Sequence, residues 1–333
     1  MDIPLITIAI PTFNRAGYLD ICLRQFVKQL TSYQADVELL ISDNCSPDNT
    51  GEIVKKYSEV YPAIKYIRQP VNIGADGNFE FCFSSSLGKY LWIFGDDDFL
   101  LDDKLQLIMT VLKEESPDML FVKGYGYVND HQKEYPAATP LLKKKPVEFF
   151  TERKKFVANV HYYLTFASGI IVNKSLLPSG YQSRNFIGSN LNHFTWVLEI
   201  LSRGKKFGLI REFVMAIKTN NTGGYSLYDT FANNLNKILD FANRTSALPM
   251  YVNKTINFNM LLSFFPQFVL AGRKNRTAAF NTEDARAALQ KFYGHTIWFW
   301  LFLWPVFILP LKLASFFQVK FLNNINRLKN AFI

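Results

Sequence analysis

Apolar and polar positions alternate in two rhythms over the first part of the chain. Residues 5–10 are a β-branched apolar run ended by Pro11, the mark of a buried strand. After them Leu19, Cys22, Leu23, Phe26, Val27 and Leu30 recur at helical spacing, which predicts a helix over residues 18–30. The alternation continues with strand 37–42, helix 49–61, strand 64–67, helix 78–87, strand 90–94, helix 101–112 and strand 119–122. Asn49-Thr-Gly-Glu52 has the form of a capping box at the start of the second helix. Strands alternating with helices predict an α/β fold, a mostly parallel sheet flanked by helices. Such sheets bind ligands beyond the carboxyl ends of their strands. Chemistry is therefore expected in the loops PTFNR, SDNCSPDN, QPVNIGADGN and GDDD.

The rhythm changes in the second half. Residues 143–155 carry KKK and ERKK clusters and read as a solvated linker or helix face. Residues 166–172 (FASGIIV) read as a strand, 194–201 as a helix ending near Gly204, and 208–210 as a short strand. Ser168 and Gly169 on the first of these line either an acceptor or the core. From about Tyr225 the pattern is helical and aromatic. Residues 297–311 (IWFWLFLWPVFILPL) carry no charge. They fall short of the roughly 20 residues a membrane-spanning helix needs, and Pro305 and Pro310 interrupt them. Trp298, Trp300 and Trp304 suit the headgroup level of a membrane. Lys312, Lys320, Arg327 and Lys329 follow, where they can meet anionic lipid. The expected reading of 297–317 is a membrane-associating segment, with a buried core helix or a dimer contact as the alternative.

Composition narrows the classes. The chain has 333 residues, 49% hydrophobic and 20% charged, with 31 Phe and a net charge of +9. A basic balance suits phosphorylated substrates, anionic membrane or nucleic acid. No basic stripe interleaved with aromatics marks a nucleic-acid module, so no nucleic-acid partner is expected. Three cysteines, Cys22, Cys45 and Cys82, form no CxxC pair and point to neither a zinc site nor a disulfide framework. The amino-terminal residues run straight into a strand and do not read as a signal peptide.

The strongest chemical signal is the run Tyr90-Leu-Trp-Ile-Phe-Gly-Asp-Asp-Asp-Phe99, a strand that ends in three carboxylates. Two unit charges about 4 Å apart repel by about 1 kcal/mol in water, and by more where solvent is excluded. Asp96, Asp97 and Asp98 therefore call for a cation. Hard oxygen ligands suit Mg²⁺ or Mn²⁺, which share their remaining positions with substrate phosphates. A metal–diphosphate site is expected; a solvated acidic turn capping the next helix is the other reading.

Four segments in order, ITIAIPTFNRAGYLDICLRQF, LLISDNCSPDNTGEIVKKY, NIGADGN and GKYLWIFGDDDFL, resemble the family-2 glycosyltransferases. These have the nucleotide-diphospho-sugar transferase fold called GT-A. The resemblance covers about residues 3–125 and again about 165–212. NIGADGNFEF and WIFGDDD are also similar to the bacterial O-antigen branch that includes abequosyltransferases. The resemblance implies a GT-A domain over 1–225, with a nucleotide-sugar half to about 125 and an acceptor half from 126, followed by a helical region over 226–333. It implies that Pro11, Thr12, Asn14 and Arg15 line the nucleotide pocket and that Asp43 holds the base or ribose. Asn72, Gly74 and Asn78 would shape the wall beside the sugar nucleotide. Asp96 and Asp98 would hold ribose and metal, and Asp97 the donor sugar.

Inverting members of the family carry an acidic pair a dozen residues before the glycine that ends a late helix. Counting back from Gly204 gives Asn192 and His193. His193 is then the candidate base, since imidazole titrates near neutrality; a structural histidine is the alternative. Glu199 lies on a different face of that helix. Without a base, a retaining reaction is expected in which the leaving phosphate takes the acceptor proton. The implied function is transfer of one sugar, with a CDP-dideoxyhexose such as CDP-abequose as candidate donor. The acceptor is a polyprenyl-diphosphate-linked oligosaccharide of O-antigen or lipopolysaccharide synthesis. The expected place is the cytoplasmic face of a bacterial inner membrane, held peripherally or monotopically. A nucleotidyltransferase making a sugar nucleotide and a non-catalytic membrane partner of a polysaccharide assembly complex are the competing readings. The first lacks the expected Gly-rich loop after the first strand, where PTFNRAG stands.

Overall fold

The computed structural model describes residues 3–33, 35–136, 145–181, 184–219, 224–274, 285–322 and 324–325. Contacts divide it into two compact units, Met1–Arg153 with Leu164–Thr219, and Lys154–Tyr163 with Asn220–Ile333.

In the first unit the apolar runs become strands that reach further into their polar loops than periodicity indicates. The order is β1 (Ile6–Thr12), α1 (Ala16–Leu30), β2 (Val37–Asp43), α2 (Thr50–Val60), β3 (Ile64–Arg68), α3 (Gly74–Ser85), β4 (Tyr90–Ile93) and β5 (Phe99–Leu100). It continues with α4 (Lys104–Glu114), β6 (Met119–Tyr127), β7 (Val147–Phe150), β8 (Ile170–Asn173), α6 (Asn192–Arg203) and β9 (Phe207–Lys218); between β7 and β8 stands α5 (Arg153–Val160), which from Lys154 on belongs to the second unit. The strands form one sheet in the order β3-β2-β1-β4-β8-β6-β9-β5, with β7 added against β9. The half β3-β2-β1-β4 is parallel. Beyond β4 the sheet is mixed, because β8 runs antiparallel to both its neighbours while β6 and β9 pair in parallel.

One face of the sheet packs on α1 and α4. Phe26 of α1 is fully buried and meets Trp92 and Phe94 edge-on, with ring centres 6.1 and 4.9 Å away. Burying each such side chain contributes about 1.5–3 kcal/mol. On the other face α3 meets α6, where Phe83 stacks on Trp196 at 4.6 Å. Beside that stack Leu91 and Ile93 of β4 line a small apolar gap together with Trp196 and Val197.

Several expectations are corrected. Helix α3 begins at Gly74, not residue 78. Helix α4 begins at Lys104, because Asp103 is left-handed (φ 62°) and Leu100 is already paired in β5. Asn49 makes no side-chain cap; Asp48 Oδ1 takes the Thr50 N–H (3.2 Å) and hydroxyl (2.6 Å) instead. In the segment read as a solvated linker or helix face, residues 147–150 form β7 and the exposed Lys154 and Lys155 lie on the start of α5, while Lys143 and Lys144 lie outside the described residues. Residues 167–169 are a single 3₁₀ turn, and the strand starts at Ile170. The short strand at 208–210 is the twelve-residue β9.

The second unit is helical. It contains α7 (Leu235–Thr245), α8 (Met250–Asn259), α9 (Phe265–Arg273), α10 (Ala285–Tyr293), α11 (Trp304–Ile308) and α12 (Leu311–Phe316), several of them extended by π-helical turns. The apolar tail is not one helix: Leu309 is extended (ψ 147°) ahead of Pro310, which breaks the run between α11 and α12. No described helix is long and apolar enough to cross a membrane. Arg327 and Lys329 lie outside the described residues.

Candidate active site

The loops after β1, β2 and β4 meet at the carboxyl edge of the parallel half-sheet. Register sets this up: β1 pairs Thr12 with Asp43 of β2, and β4 ends beside Ala9. After β4 the chain turns at Gly95. A Cβ there would lie 3.0 Å from Asp98 Oδ2 and 3.1 Å from Asp97 Oδ1, so a side chain would crowd both carboxylates. Ser168 holds the turn. Its Oγ accepts the Gly95 N–H at 2.9 Å and its hydroxyl donates to Asp98, while Trp92 Nε1 donates to the Ser168 carbonyl at 2.8 Å. Buried in this way, Ser168 positions the acidic loop.

The acidic loop is tied to the loop after β1. Thr12 Oγ1 donates to Asp96 Oδ2 at 2.7 Å. Arg15 Nη1 donates to Asp96 Oδ1 at 3.2 Å and to Asp97 Oδ2 at 2.9 Å. Asp98 Oδ1 accepts the Lys218 N–H at 3.3 Å, and Tyr127 Oη donates to the Asp97 carbonyl at 3.3 Å. Burial, and then the charge of Asp97, pushes the Asp96 carboxyl up to about 6 and the Asp98 carboxyl up to about 8. Arg15 stays charged despite partial burial because Asp96 and Asp97 face it. Negative charge in this loop thus exceeds what its contacts neutralise, and the donor set fits a divalent cation. Among the described residues no three His, Cys, Asp or Glu side chains form a cage. The protein would supply one or two carboxylates and leave the other positions to phosphate and water, the usual mode for small hard cations. Asp96 and Asp98 lie beneath the surface, and Asp97 between them is partly exposed.

The second loop is built by hydrogen bonds of its own. Asp43 is 1% exposed. Its Oδ1 accepts the Ser46 N–H at 2.8 Å, and its Oδ2 accepts Tyr66 Oη at 2.7 Å and faces Arg68 Nε at 3.6 Å. These contacts hold its carboxylate in the loop beside Thr12. Asn14 adopts φ 54° and donates its N–H to Ser46 Oγ at 2.9 Å. Asp48 Oδ2 accepts the Ala16 N–H at 2.9 Å, an anion at the amino end of α1. Pro11 stands opposite Ser42 in the sheet.

The wall formed by residues 72–78 hangs on β2. Asn44 Oδ1 accepts the Ile73 N–H at 2.9 Å, and its Nδ2 donates to Asn72 Oδ1 (2.9 Å) and to the Gly74 carbonyl (3.2 Å). Gly74 sits at φ +78°, which favours glycine. Asn78 is buried against Ser42, donating to its carbonyl at 3.0 Å and accepting from its hydroxyl at 2.5 Å. Asn78 therefore anchors the wall to β2. Asp76, one turn before Glu80, accepts the N–H groups of Gly188 (2.8 Å), Asn190 (2.8 Å) and Asn192 (3.2 Å), and so fixes the start of α6.

His193 does not join the three loops. It is 7% exposed, with its Nε2 2.7 Å from the Thr165 carbonyl and its ring against Phe79 at 5.5 Å. Burial lowers its proton affinity, so the neutral ring donates Nε2–H to Thr165. This is the structural alternative for His193. Asn192 is fully buried beside it, and Glu199 accepts Arg203 Nε at 2.6 Å. Residues that periodicity does not single out, Asn44, Asp48, Asp76, Tyr127 and Ser168, hold the site together. The loops that hold Asn44, Asp48 and Asp76 stand out in the sequence, but the partners of these side chains are distant and no local pattern shows them.

Comparison with known proteins bears on family and fold. Residues 7–175 match the family described as Glycosyl transferase family 2. The chain is 40% identical over 113 residues to abequosyltransferase RfbV of Salmonella typhimurium, a match spanning 34% of each protein. It is 26% identical over 123 residues to glycosyltransferase GlyG of Streptococcus pneumoniae, spanning 37% of this chain and 40% of that one. The chain thus matches about a third to two-fifths of the length of these relatives. Among solved structures, S. aureus TarS 1–349 with UDP-GlcNAc aligns at TM-score 0.59 and 14% identity, covering 98% of this chain and 91% of that one. The mannosyltransferase PcManGT of Pyrobaculum calidifontis with GDP-Man and Mn²⁺ aligns at TM-score 0.53 and 14% identity, covering 96% and 88%. Carrying the four loops on a half-parallel sheet and matching the family across half its length, the chain belongs to glycosyl transferase family 2 and has the GT-A fold.

Proposed function

We propose that the chain transfers one sugar from a nucleotide-diphospho-sugar to a polyprenyl-diphosphate-linked oligosaccharide. The observation that carries this reading is the junction of Thr12 and Arg15 with Asp96 and Asp97, which joins the loop the family uses for nucleotide to the acidic loop. In this reading Arg15 steadies a diphosphate at the mouth of β1 and Asp97 contacts the donor sugar, supported by their ion pair. Asp96 and Asp98, with Asp97 as the most open member, are the residues that would hold Mg²⁺ or Mn²⁺. When bound, that cation supplies Lewis-acid stabilisation to the departing nucleoside diphosphate. The burial of Asn192 and His193 supports a retaining reaction in which the leaving phosphate receives the acceptor proton.

The donor in this reading is a CDP-dideoxyhexose such as CDP-abequose, supported by similarity to the Salmonella abequosyltransferase. The pathway is O-antigen or lipopolysaccharide synthesis at the cytoplasmic face of a bacterial inner membrane. Peripheral attachment is supported by the exposed side chains Ile297, Trp298, Trp300, Leu301, Leu313 and Phe316 of the helical unit.

The test is thermal stability with CDP-, UDP-, GDP- and dTDP-sugars, with and without Mn²⁺, on wild type and Asp98→Ala. A ligand that binds only the folded state raises the melting temperature. The expected result is a metal-dependent rise with the CDP-sugar, absent in the variant. A flat response to every donor would overturn the reading in favour of the non-catalytic partner.

A further inference from the structure

The helical unit contains a groove of about 950 Å³ that no part of the proposed sugar transfer uses. Its size is that of a small-molecule site. Three polar side chains in its wall satisfy one another. Tyr293 Oη donates to Asn257 Oδ1 at 2.7 Å, Asn257 Nδ2 to Asn236 Oδ1 at 2.8 Å, and Asn236 Nδ2 back to Tyr293 Oη at 3.1 Å. A closed ring of this kind offers little to a sugar, whose hydroxyls need open partners. What remains is apolar surface, from Phe258 and Leu261 out to the exposed Met250, Ile297 and Trp298. That surface continues into the exposed apolar face of residues 297–321.

Two polar features are left over. Asn253 is 7% exposed, its Nδ2 donates to Asn243, and its Oδ1 has no partner among the described residues. A buried acceptor of this kind is costly unless something donates to it. At the exposed positions of the groove stand Asp240, Lys254 and His295, and no ion pair among the described residues uses any of the three. An apolar trough, one unfilled acceptor and a rim bearing both signs of charge match a zwitterionic amphiphile.

We propose that this groove binds one ammonium-headed phospholipid of the ethanolamine class. Its acyl chain lies along Phe258, Leu261 and Trp298. Its ammonium meets Asn253 and Asp240, and its phosphate meets Lys254 and His295. The inference rests on the membrane-surface reading above, because the groove opens beside the same apolar residues.

The test uses the full chain with equal parts of ethanolamine-, choline- and glycerol-headed phospholipids in mixed micelles. Native mass spectrometry counts the lipid retained. The expected result is one ethanolamine lipid per chain, at least tenfold over the choline lipid, which has no N–H to donate. Ala158→Phe, which fills the groove from its wall, loses that lipid at least tenfold. Asp240→Lys, an exposed change that leaves the core untouched, abolishes the preference for ethanolamine. Equal retention by Ala158→Phe, or equal retention of the three headgroups by wild type, overturns the proposal. So does an oligosaccharide that occupies the groove in place of lipid. Flotation with vesicles is measured in parallel: failure to float overturns the membrane reading, and the micelle count still decides the groove.

Discussion

At the scale of single residues, the site is a problem of compensating charge. Asp96 and Asp98 are carboxyls whose folded proton affinity is raised by burial and by Asp97. An acid raised in this way binds more protons folded than unfolded between its ordinary range near 4 and its folded value. Stability is then full below the ordinary range and is lost as pH rises. We expect the metal-free protein to melt at progressively lower temperature from pH 5 to pH 8, and Asp98→Asn to flatten that slope. Mn²⁺ should stabilise more at pH 8 than at pH 5; a slope of the opposite sign in calorimetry would refute the assignment. His193 gives the second prediction at this scale. A general base is worth about 10²–10⁴ in rate, whereas a ring that only bonds the Thr165 carbonyl is replaceable. His193→Gln should keep kcat/KM within about tenfold on that argument. A hundredfold loss in steady-state kinetics, with melting unchanged, would restore it as the base.

At the scale of elements, two contacts decide whether the loops meet. Helix α1 carries Arg15 at its amino end and is pressed on the sheet by Phe26, which fills the angle between Trp92 and Phe94. Phe26→Ala should cost about 3–5 kcal/mol in chemical denaturation. It should also weaken donor binding, since the helix start moves with the packing. Helix α6 is placed by Asp76, whose carboxylate collects three N–H groups from residues 188–192. Asp76→Ala leaves those donors without their charged acceptor and should destabilise by roughly 1.5–3 kcal/mol. A change below about 0.5 kcal/mol, the level of an ordinary surface substitution, would show that water replaces the carboxylate at no cost.

At the scale of the whole molecule, the proposed membrane attachment rests on large apolar side chains exposed on the helical unit. Leu313 and Phe316 on α12 are 54% and 63% exposed. Leu313→Ser with Phe316→Ser should lower affinity for anionic vesicles by about tenfold or more, equivalent to about 1.4 kcal/mol. Turnover on a soluble acceptor should be unchanged. Undiminished sedimentation with vesicles would place the contact elsewhere.

The α/β alternation, the first helix with its buried face and the acidic end of β4 were legible from the sequence, because each is a local property. Period-2 and period-3.6 patterns follow from backbone geometry within a few residues, and three adjacent carboxylates need no partner to be conspicuous. Tertiary structure decided the rest. Asp43 and Asn78 read as ligand-side residues, and only the fold shows that Tyr66, Ser46 and Ser42 hold their side chains. Ser168 reads as an acceptor or core position and Asp76 as part of a polar loop, and neither reading shows that they act on partners 73 and 116 residues away. The antiparallel insertion of β8 between β4 and β6 was equally hidden. Strand order and buried hydrogen bonds depend on which segments meet in space, and a single sequence records that pairing only through the folded chain.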